Sequence, residues 1–236
     1  MSNDYFLFKQ FCIHQRRAAM KVGTDAALLG TLAEGGRRIL DIGAGTGIIS
    51  LMMAQRNPDA AITAIEIDDN AFLDAGENIA ASPFAERISL VKGDFCKYAT
   101  TSNEQLYDCI VSNPPYFDES LENPDEGRTR ARHTSSLSFR SLIGGAYKLL
   151  TDGGVFSVCL PPEVLKKFSA ECLISGFYLK QCYAIKTVPR KAPRRYILVY
   201  QKSTPCLPEE HLYCMQNADG SRSEWYKDLM KDFYLD

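Results

Sequence analysis

No apolar run in this 236-residue chain approaches the ~18 residues that a membrane span requires. The opening Met1-Ser2-Asn3-Asp4-Tyr5 has no basic stretch leading into an apolar one. No secretory signal is therefore expected, and the expected location is cytoplasmic. Histidine is scarce, with three in all, and no two of the eight cysteines are spaced C-x-x-C. A zinc or other metal site is not expected from such a set. Most of the cysteines lie in apolar segments such as Tyr107-Asp108-Cys109-Ile110-Val111, and they read as buried free thiols in a reducing compartment. A basic excess is also missing: 27 Lys and Arg face 29 Asp and Glu, a net charge of −2. That balance argues against a nucleic-acid binder that works through overall charge. Apolar residues make up 45 % of the chain, enough for a core, so disorder as the main state is excluded.

Acids are unevenly placed. None occurs from Cys172 to Pro208, which holds Lys180, Lys186, Arg190, Lys191, Arg194, Arg195 and Lys202. None occurs from Arg128 to Arg140, which holds Arg128, Arg130, Arg132, His133 and Arg140. Acids gather instead at Asp68, Asp69, Asp74 and Glu77, and between Asp118 and Glu126. A near-neutral chain can thus carry a basic face.

Strand and helix patterns alternate along the chain. Short apolar runs predict strands at Arg38–Ile42, Ala61–Ile67, Arg87–Lys92, Leu106–Ser112 and Gly154–Leu160. Helices are expected at Asp25–Ala33, Ile48–Gln55, Asp69–Ala81 and Phe139–Leu150. Phe177–Lys186 and Arg195–Gln201 read as a closing antiparallel pair. The pattern is α/β: a Rossmann-like, seven-stranded, mostly parallel sheet with helices on both faces. Three regions are expected. Residues 1–36 form an N-terminal extension, 37–202 the α/β domain, and 203–236 a tail packed on it, weakly helical near Trp225.

Four strand ends carry chemistry. The first runs into Asp41-Ile42-Gly43-Ala44-Gly45-Thr46-Gly47. Glycines permit a sharp turn and close approach of a ligand to the main chain, and a helix N-terminus follows. A dinucleotide site would space its glycines G-x-G-x-x-G; here they stand G-x-G-x-G behind an acid. Asp41 would repel a pyrophosphate but suits a cationic ligand. A glycine turn with no ligand is the bland alternative. The second strand delivers Glu66, placed to accept from a ribose diol, with Ile67 beside it; a solvated turn acid is the alternative. The third delivers Asp94 and Phe95, suited to the amine and face of an adenine, or simply to capping the next segment. The fourth ends in Asn113-Pro114-Pro115-Tyr116. The Asn113 side-chain oxygen and the Pro114 carbonyl are two acceptors on a stiff turn, able to hold both hydrogens of a planar amino group. Tyr116 can stack on the ring that bears it.

D-I-G-A-G-T-G together with N-P-P-Y resembles the class I S-adenosylmethionine-dependent methyltransferases that act on amide or exocyclic amino nitrogens. More of the chain resembles the bacterial tRNA(Val) adenine-37 N6-methyltransferases. The residues concerned are Phe8-Lys9-Gln10-Phe11, the run from Arg17 through Lys21, Gly23, Thr24 and Asp25 to Gly30, Arg130-Ala131-Arg132-His133, and Lys231-Asp232-Phe233-Tyr234-Leu235. The resemblance implies S-adenosylmethionine as cofactor and tRNA as partner, with no membrane. Cofactor contacts are expected from Lys21, Gly23, Thr24, Asp41, Gly43, Gly45, Gly47, Glu66, Ile67, Asp94, Phe95 and Asn113. The catalytic set is expected to be Asn113, Pro114, Pro115 and Tyr116. Arg128, Arg130, Arg132, His133, Arg190, Lys191, Arg194 and Arg195 are expected to meet RNA. A monomer is expected. Residues Arg17 to Leu29 are expected to pack over the cofactor as a lid, with a capped turn at Val22-Gly23-Thr24-Asp25.

Three other readings compete. A protein glutamine N5-methyltransferase could use the same N-P-P-Y turn on a carboxamide, though the acid-free stretches favour RNA. A non-catalytic RNA-binding module is disfavoured by the intact N-P-P-Y. A nicotinamide enzyme is disfavoured by the glycine spacing.

Overall fold

The computed structural model describes residues 4–101, 106–115 and 137–235. A short hairpin comes first, β1 (Tyr5–Leu7) with β2 (Cys12–His14), followed by α1 (Thr24–Leu32). Then come β3 (Arg38–Ile42), α2 (Ile48–Arg56), β4 (Ala61–Glu66), α3 (Asp69–Ala80), β5 (Ile88–Lys92), α4 (Phe95–Thr101) and β6 (Tyr107–Ser112). After these follow α5 (Phe139–Leu149), β7 (Leu150–Leu160), α6 (Leu165–Ile174), β8 (Phe177–Lys186), β9 (Arg195–Lys202), β10 (Glu209–Cys214) and α7 (Glu224–Met230).

The main sheet has the order β10-β8-β9-β7-β6-β3-β4-β5. Only β9 runs against its neighbours, pairing antiparallel with both β7 and β8. All seven expected strands are there, and an eighth, β10, adds itself parallel to β8. The tail beyond residue 202 is therefore partly sheet, with the expected helix at Trp225. Its charged start, Glu209-Glu210, belongs to an edge, where one side of the strand faces water.

Successive strand side chains point to opposite faces, and both faces are covered. Ile39, Cys109, Val111, Val155, Cys159, Ile197 and Val199 pack under α1, α2 and α7. Leu40, Ile42, Ile110, Phe156, Val158, Leu198 and Tyr200 pack under α4, α5 and α6. The helices start where polar side chains can serve their free N–H groups. Asp68 accepts from Ala71 N at the head of α3, and Ser138 from Ser141 N at the head of α5. At the other end of α2, the Arg87 guanidinium donates to Ala54 O and Asn57 O.

The first described residues join the first core. Phe8, Phe11 and Ile13 pack there with Tyr226, Met230 and Phe233. Phe8 forms an antiparallel bridge with Tyr234, and Lys9 N donates to Phe233 O at 2.8 Å. All eight cysteines are free, as expected, but only Cys109, Cys159 and Cys172 are buried; Cys12, Cys96, Cys182, Cys206 and Cys214 are half-buried, a correction to the expected burial. No described helix is long and apolar enough to cross a membrane.

Candidate active site

In the strand order, β4 lies on one side of β3 and β6 on the other. The chain reverses its direction of winding there, and the crevice beyond the carboxyl ends of such strands is where ligands bind in open α/β sheets. The glycine turn leaves β3 at this point and Asn113 leaves β6. Ser112 Oγ ties the two ends together by donating to Ile42 O at 2.9 Å.

The turn is built by backbone conformation. Gly43, Gly45 and Gly47 have φ of 72°, 58° and 82°, in the left-handed region that favours glycine. A Cβ at Gly43 or Gly45 would meet nothing within 4 Å, so open space lies over both. Gly43 N and Ala44 N donate to Ile65 O at 2.9 and 3.0 Å. Gly47 is the N-cap of α2, which begins directly under the turn.

Glu66 organises three strand ends. It is buried, and its Oε2 accepts from Gly45 N while Oε1 accepts from Asp68 N, both at 2.7 Å. Its carbonyl accepts from Gly93 N beyond β5. Each carboxylate oxygen has a further lone pair, so these bonds leave capacity for a diol. Ile67, the next residue, is 53 % exposed. Its carbonyl accepts from Lys92 Nζ.

Asp41 is fully buried in β3. Its Oδ2 accepts from Ser50 Oγ of α2 at 2.6 Å, while Oδ1 has no hydrogen-bond partner among the described residues. Burial pushes its pKa up to about 7; the nearby Glu66 charge adds to this, and the Ser50 hydrogen bonds oppose it. A buried acid with an unsatisfied oxygen is a poor structural device and a good partner for a cation. These residues therefore fit a cationic nucleoside such as S-adenosylmethionine.

Other expected residues divide. Asp94 Oδ1 accepts from Cys96 N at 2.6 Å, so the carboxylate does cap the next segment, at the carboxyl end of β5. Phe95 is a correction: it is buried in the second core, against Gly145 of α5, where an added Cβ would sit 2.6 Å from the ring. Its ring serves α5 rather than an open pocket. Pro114 is buried, Asn113 half-buried and Pro115 exposed at the end of β6. Tyr116, Arg128, Arg130, Arg132 and His133 lie outside the described residues.

The extension comes near the glycine turn at α3, where Asn78 Nδ2 donates to both His14 O and Thr46 O. Gly23 caps α1 without any side-chain bond, which corrects the expected capped turn. Asp25, in the first turn, instead pairs with Arg195 Nε of β9. That pairing is a second correction, because it commits Arg195 to the fold rather than to a free basic surface. Lys21 is exposed, with Nζ 3.6 Å from Asp4 Oδ1, and Thr24 is half-buried. Arg190, Lys191 and Arg194 are exposed on the β8–β9 hairpin. Leu160 pairs with Tyr196, so this hairpin rises at the carboxyl end of β7, the same edge as Asn113. A groove of about 640 Å³ lies there, between Pro161-Pro162-Glu163 and Lys191–Arg194.

Sequence reasoning missed Ser50, Gln15 and Asn78, and read Asp74 only as one of a gathering of acids. The available signal was helical spacing: Ala71, Asp74, Ala75, Asn78 and Ile79 fall on one buried face of α3.

Comparison with known proteins agrees with this geometry. The family model described as "Methyltransferase small domain" matches residues 17–160. Proteins of Bacteroides thetaiotaomicron and Phocaeicola vulgatus are 41 % and 44 % identical, each over 100 % of this chain and 99 % of its own length. Both are named tRNA1(Val) (adenine(37)-N6)-methyltransferase. Among solved structures, a predicted O-methyltransferase from Agrobacterium tumefaciens aligns with TM-score 0.69 at 20 % identity. It covers 89 % of this chain and 96 % of its own, a likeness of fold alone.

Proposed function

Since the chain belongs to the methyltransferase small domain family and matches tRNA1(Val) (adenine(37)-N6)-methyltransferases along its full length, we propose that it methylates N6 of adenine 37 in valine tRNA. The observation that carries the reading is the meeting of the glycine turn and Asn113-Pro114 at one switch point, joined through Ser112 and Ile42. One site holds the donor and the adjoining strand end presents the acceptor.

S-adenosylmethionine, when bound, supplies an electrophilic methyl carbon on a sulfonium. Gly43, Gly45 and Gly47 would leave room for it, Glu66 would accept from its ribose, and Asp41 would offset its positive charge. Asp94 and Ile67 would take its adenine, and Lys21, Gly23 and Thr24 would close the wall. The target adenine enters flipped from the anticodon loop, where unstacking is cheap. The Asn113 side-chain oxygen and the Pro114 carbonyl hold the two hydrogens of its N6, Pro115 stiffens the turn, and Tyr116 stacks on the ring. Held this way, the N6 lone pair would be free and aimed at the methyl carbon that the cofactor would supply, and the proton that the new methyl displaces would leave to solvent. Nothing must be deprotonated before attack, so catalysis is orientation and electrostatics. Arg190, Lys191 and Arg194, together with Arg128, Arg130, Arg132 and His133, meet phosphates around the pocket.

Nucleoside mass spectrometry after incubation with labelled cofactor tests the reading, using total tRNA in one arm and a release factor in the other. N6-methyladenosine in valine tRNA is the expected product. Methylglutamine in the protein arm with no change in tRNA would overturn it.

A further inference from the structure

The inner face of α3 carries two polar side chains where aliphatic ones would pack as well. Asp74 is 0 % and Asn78 1 % exposed. Burial of such groups is costly unless their bonding capacity is met, and here it is met by main chain from two other segments. Asp74 Oδ2 accepts from Arg17 N and Ala18 N, and Oδ1 from Arg17 Nη1, each at 2.9 Å. The same guanidinium reaches Glu77 Oε1 at 2.8 Å. Asn78 Oδ1 accepts from His14 N at 2.7 Å, and Nδ2 donates to His14 O at 2.8 Å. That amide also donates to Thr46 O, inside the glycine turn, at 2.9 Å.

One side chain thus holds the N-terminal segment and the glycine turn together. The segment is also closed on itself, because buried Gln15 accepts from Val22 N through Oε1 at 2.7 Å. What hangs from these bonds is the stretch from Arg17 to Thr24. On the other side α3 presses on the turn itself, for Ala75 and Ile79 line the space beside Gly47. The helix is a common body to which both walls of the pocket are fastened.

We propose that Asp74 and Asn78 are positioning residues for cofactor binding, latching the Arg17–Thr24 strap to the glycine turn so that the pocket is formed before the ligand arrives. The proposal rests on the cofactor reading above. A pocket already ordered spares the ligand the entropy of ordering it, so losing the latch weakens affinity and leaves the aligned chemistry alone.

The test uses the full chain as wild type, Asn78→Ala and Arg17→Ala, the last removing the guanidinium while keeping the main-chain bonds of Arg17 and Ala18 to Asp74 Oδ2. Hydrogen exchange without cofactor is measured over residues 14–24 and over β3 and β6. S-adenosylhomocysteine is titrated calorimetrically, and KM and kcat are measured for S-adenosylmethionine. In Asn78→Ala, residues 14–24 should exchange faster while β3 and β6 keep their protection. Affinity should fall about ten-fold, because three buried hydrogen bonds are lost but only their part in ordering the pocket reaches the ligand. KM should rise in step while kcat barely changes. Asn78→Asp, which keeps the acceptor and loses both donors, should not rescue. Arg17→Ala should move every quantity the same way by less. Unchanged exchange over 14–24 in both variants overturns the latch, and faster exchange with unchanged affinity overturns its link to the cofactor. A wild-type chain that takes up no S-adenosylhomocysteine overturns the cofactor reading instead, and shows itself before any substitution is made.

Discussion

Asn113 and Asp41 stand at the carboxyl end of the same sheet and are expected to fail differently. Asn113 leaves β6 at the crevice and, although it is also expected to border the cofactor, its side-chain oxygen is assigned to the target amine. Asn113→Ala should abolish transfer while leaving S-adenosylmethionine affinity within a few-fold, since the loss falls on the transition state. Activity assay and calorimetry together check it, and a parallel loss of cofactor binding would place Asn113 wrongly. Tyr116→Phe should be mild and Tyr116→Ala severe, because stacking needs the ring. Asp41 is a pH problem. Its folded pKa, about 7, lies above the ordinary 3.8. The folded chain therefore holds a proton that the unfolded chain releases across that window. The stabilisation is full below 3.8 and is lost as pH rises through about 7. Asp41→Asn removes this dependence, so the melting temperature of wild type relative to the variant should fall from pH 5.5 to pH 8. A relative drop of a few degrees is expected, since ~1 kcal/mol moves a domain of this size by ~2–4 °C. A constant difference would mean that Asp41 does not titrate in this range.

At the scale of elements, what was legible followed apolar periodicity and what was hidden followed partners distant in sequence. β3 and β6 announced themselves because strands buried on both faces read as continuous apolar runs. The glycine turn and Asn113-Pro114 were legible because they follow directly on those runs. β10 was not: Glu209-Glu210-His211-Leu212-Tyr213-Cys214 has no apolar run, and its pairing is supplied by β8. Asp74 was read as a surface acid and Asn78 was passed over, because their partners Arg17, Ala18, His14 and Thr46 are distant in sequence. Arg195 looked like its neighbour Arg194 until the fold set Asp25 beside it. The two arginines are therefore expected to separate. Lys191→Ala with Arg194→Ala should raise the tRNA KM and flatten the salt dependence of binding without touching cofactor affinity. It should weaken valine and other tRNAs alike, because phosphate contacts carry little sequence information. Filter binding across a salt series checks this. Arg195→Ala should act on stability instead, and a double-mutant cycle with Asp25→Ala should give a coupling of about 0.5–1 kcal/mol, the scale of a partly exposed ion pair.

For the whole molecule, a net charge of −2 and a basic working edge are compatible because the acid-free hairpin rises beside the crevice. Overall charge weakens long-range attraction, and local charge still steers the last approach. The extension is equally part of the whole. Removing residues 1–24 would strip Phe8, Phe11 and Ile13 from the core they share with Tyr226, Met230 and Phe233. At ~1.5–3 kcal/mol for each buried side chain, the loss approaches the 5–15 kcal/mol that holds a domain together. Thermal melts of that truncation should show a large fall in melting temperature or no cooperative transition. A truncation that melts like wild type would detach the extension from the core.

The bond from Lys9 to the carbonyl of Lys231 spans 222 positions of sequence. A ribosome releases the two partners far apart in time, at ~5–20 residues per second. Phe11 finds Phe84 early, but Phe6 and Phe8 must wait for Tyr234 until α7 and the residues after it emerge. A circular permutant that joins the two ends and opens an exposed loop elsewhere would release those partners together, and should shorten that wait.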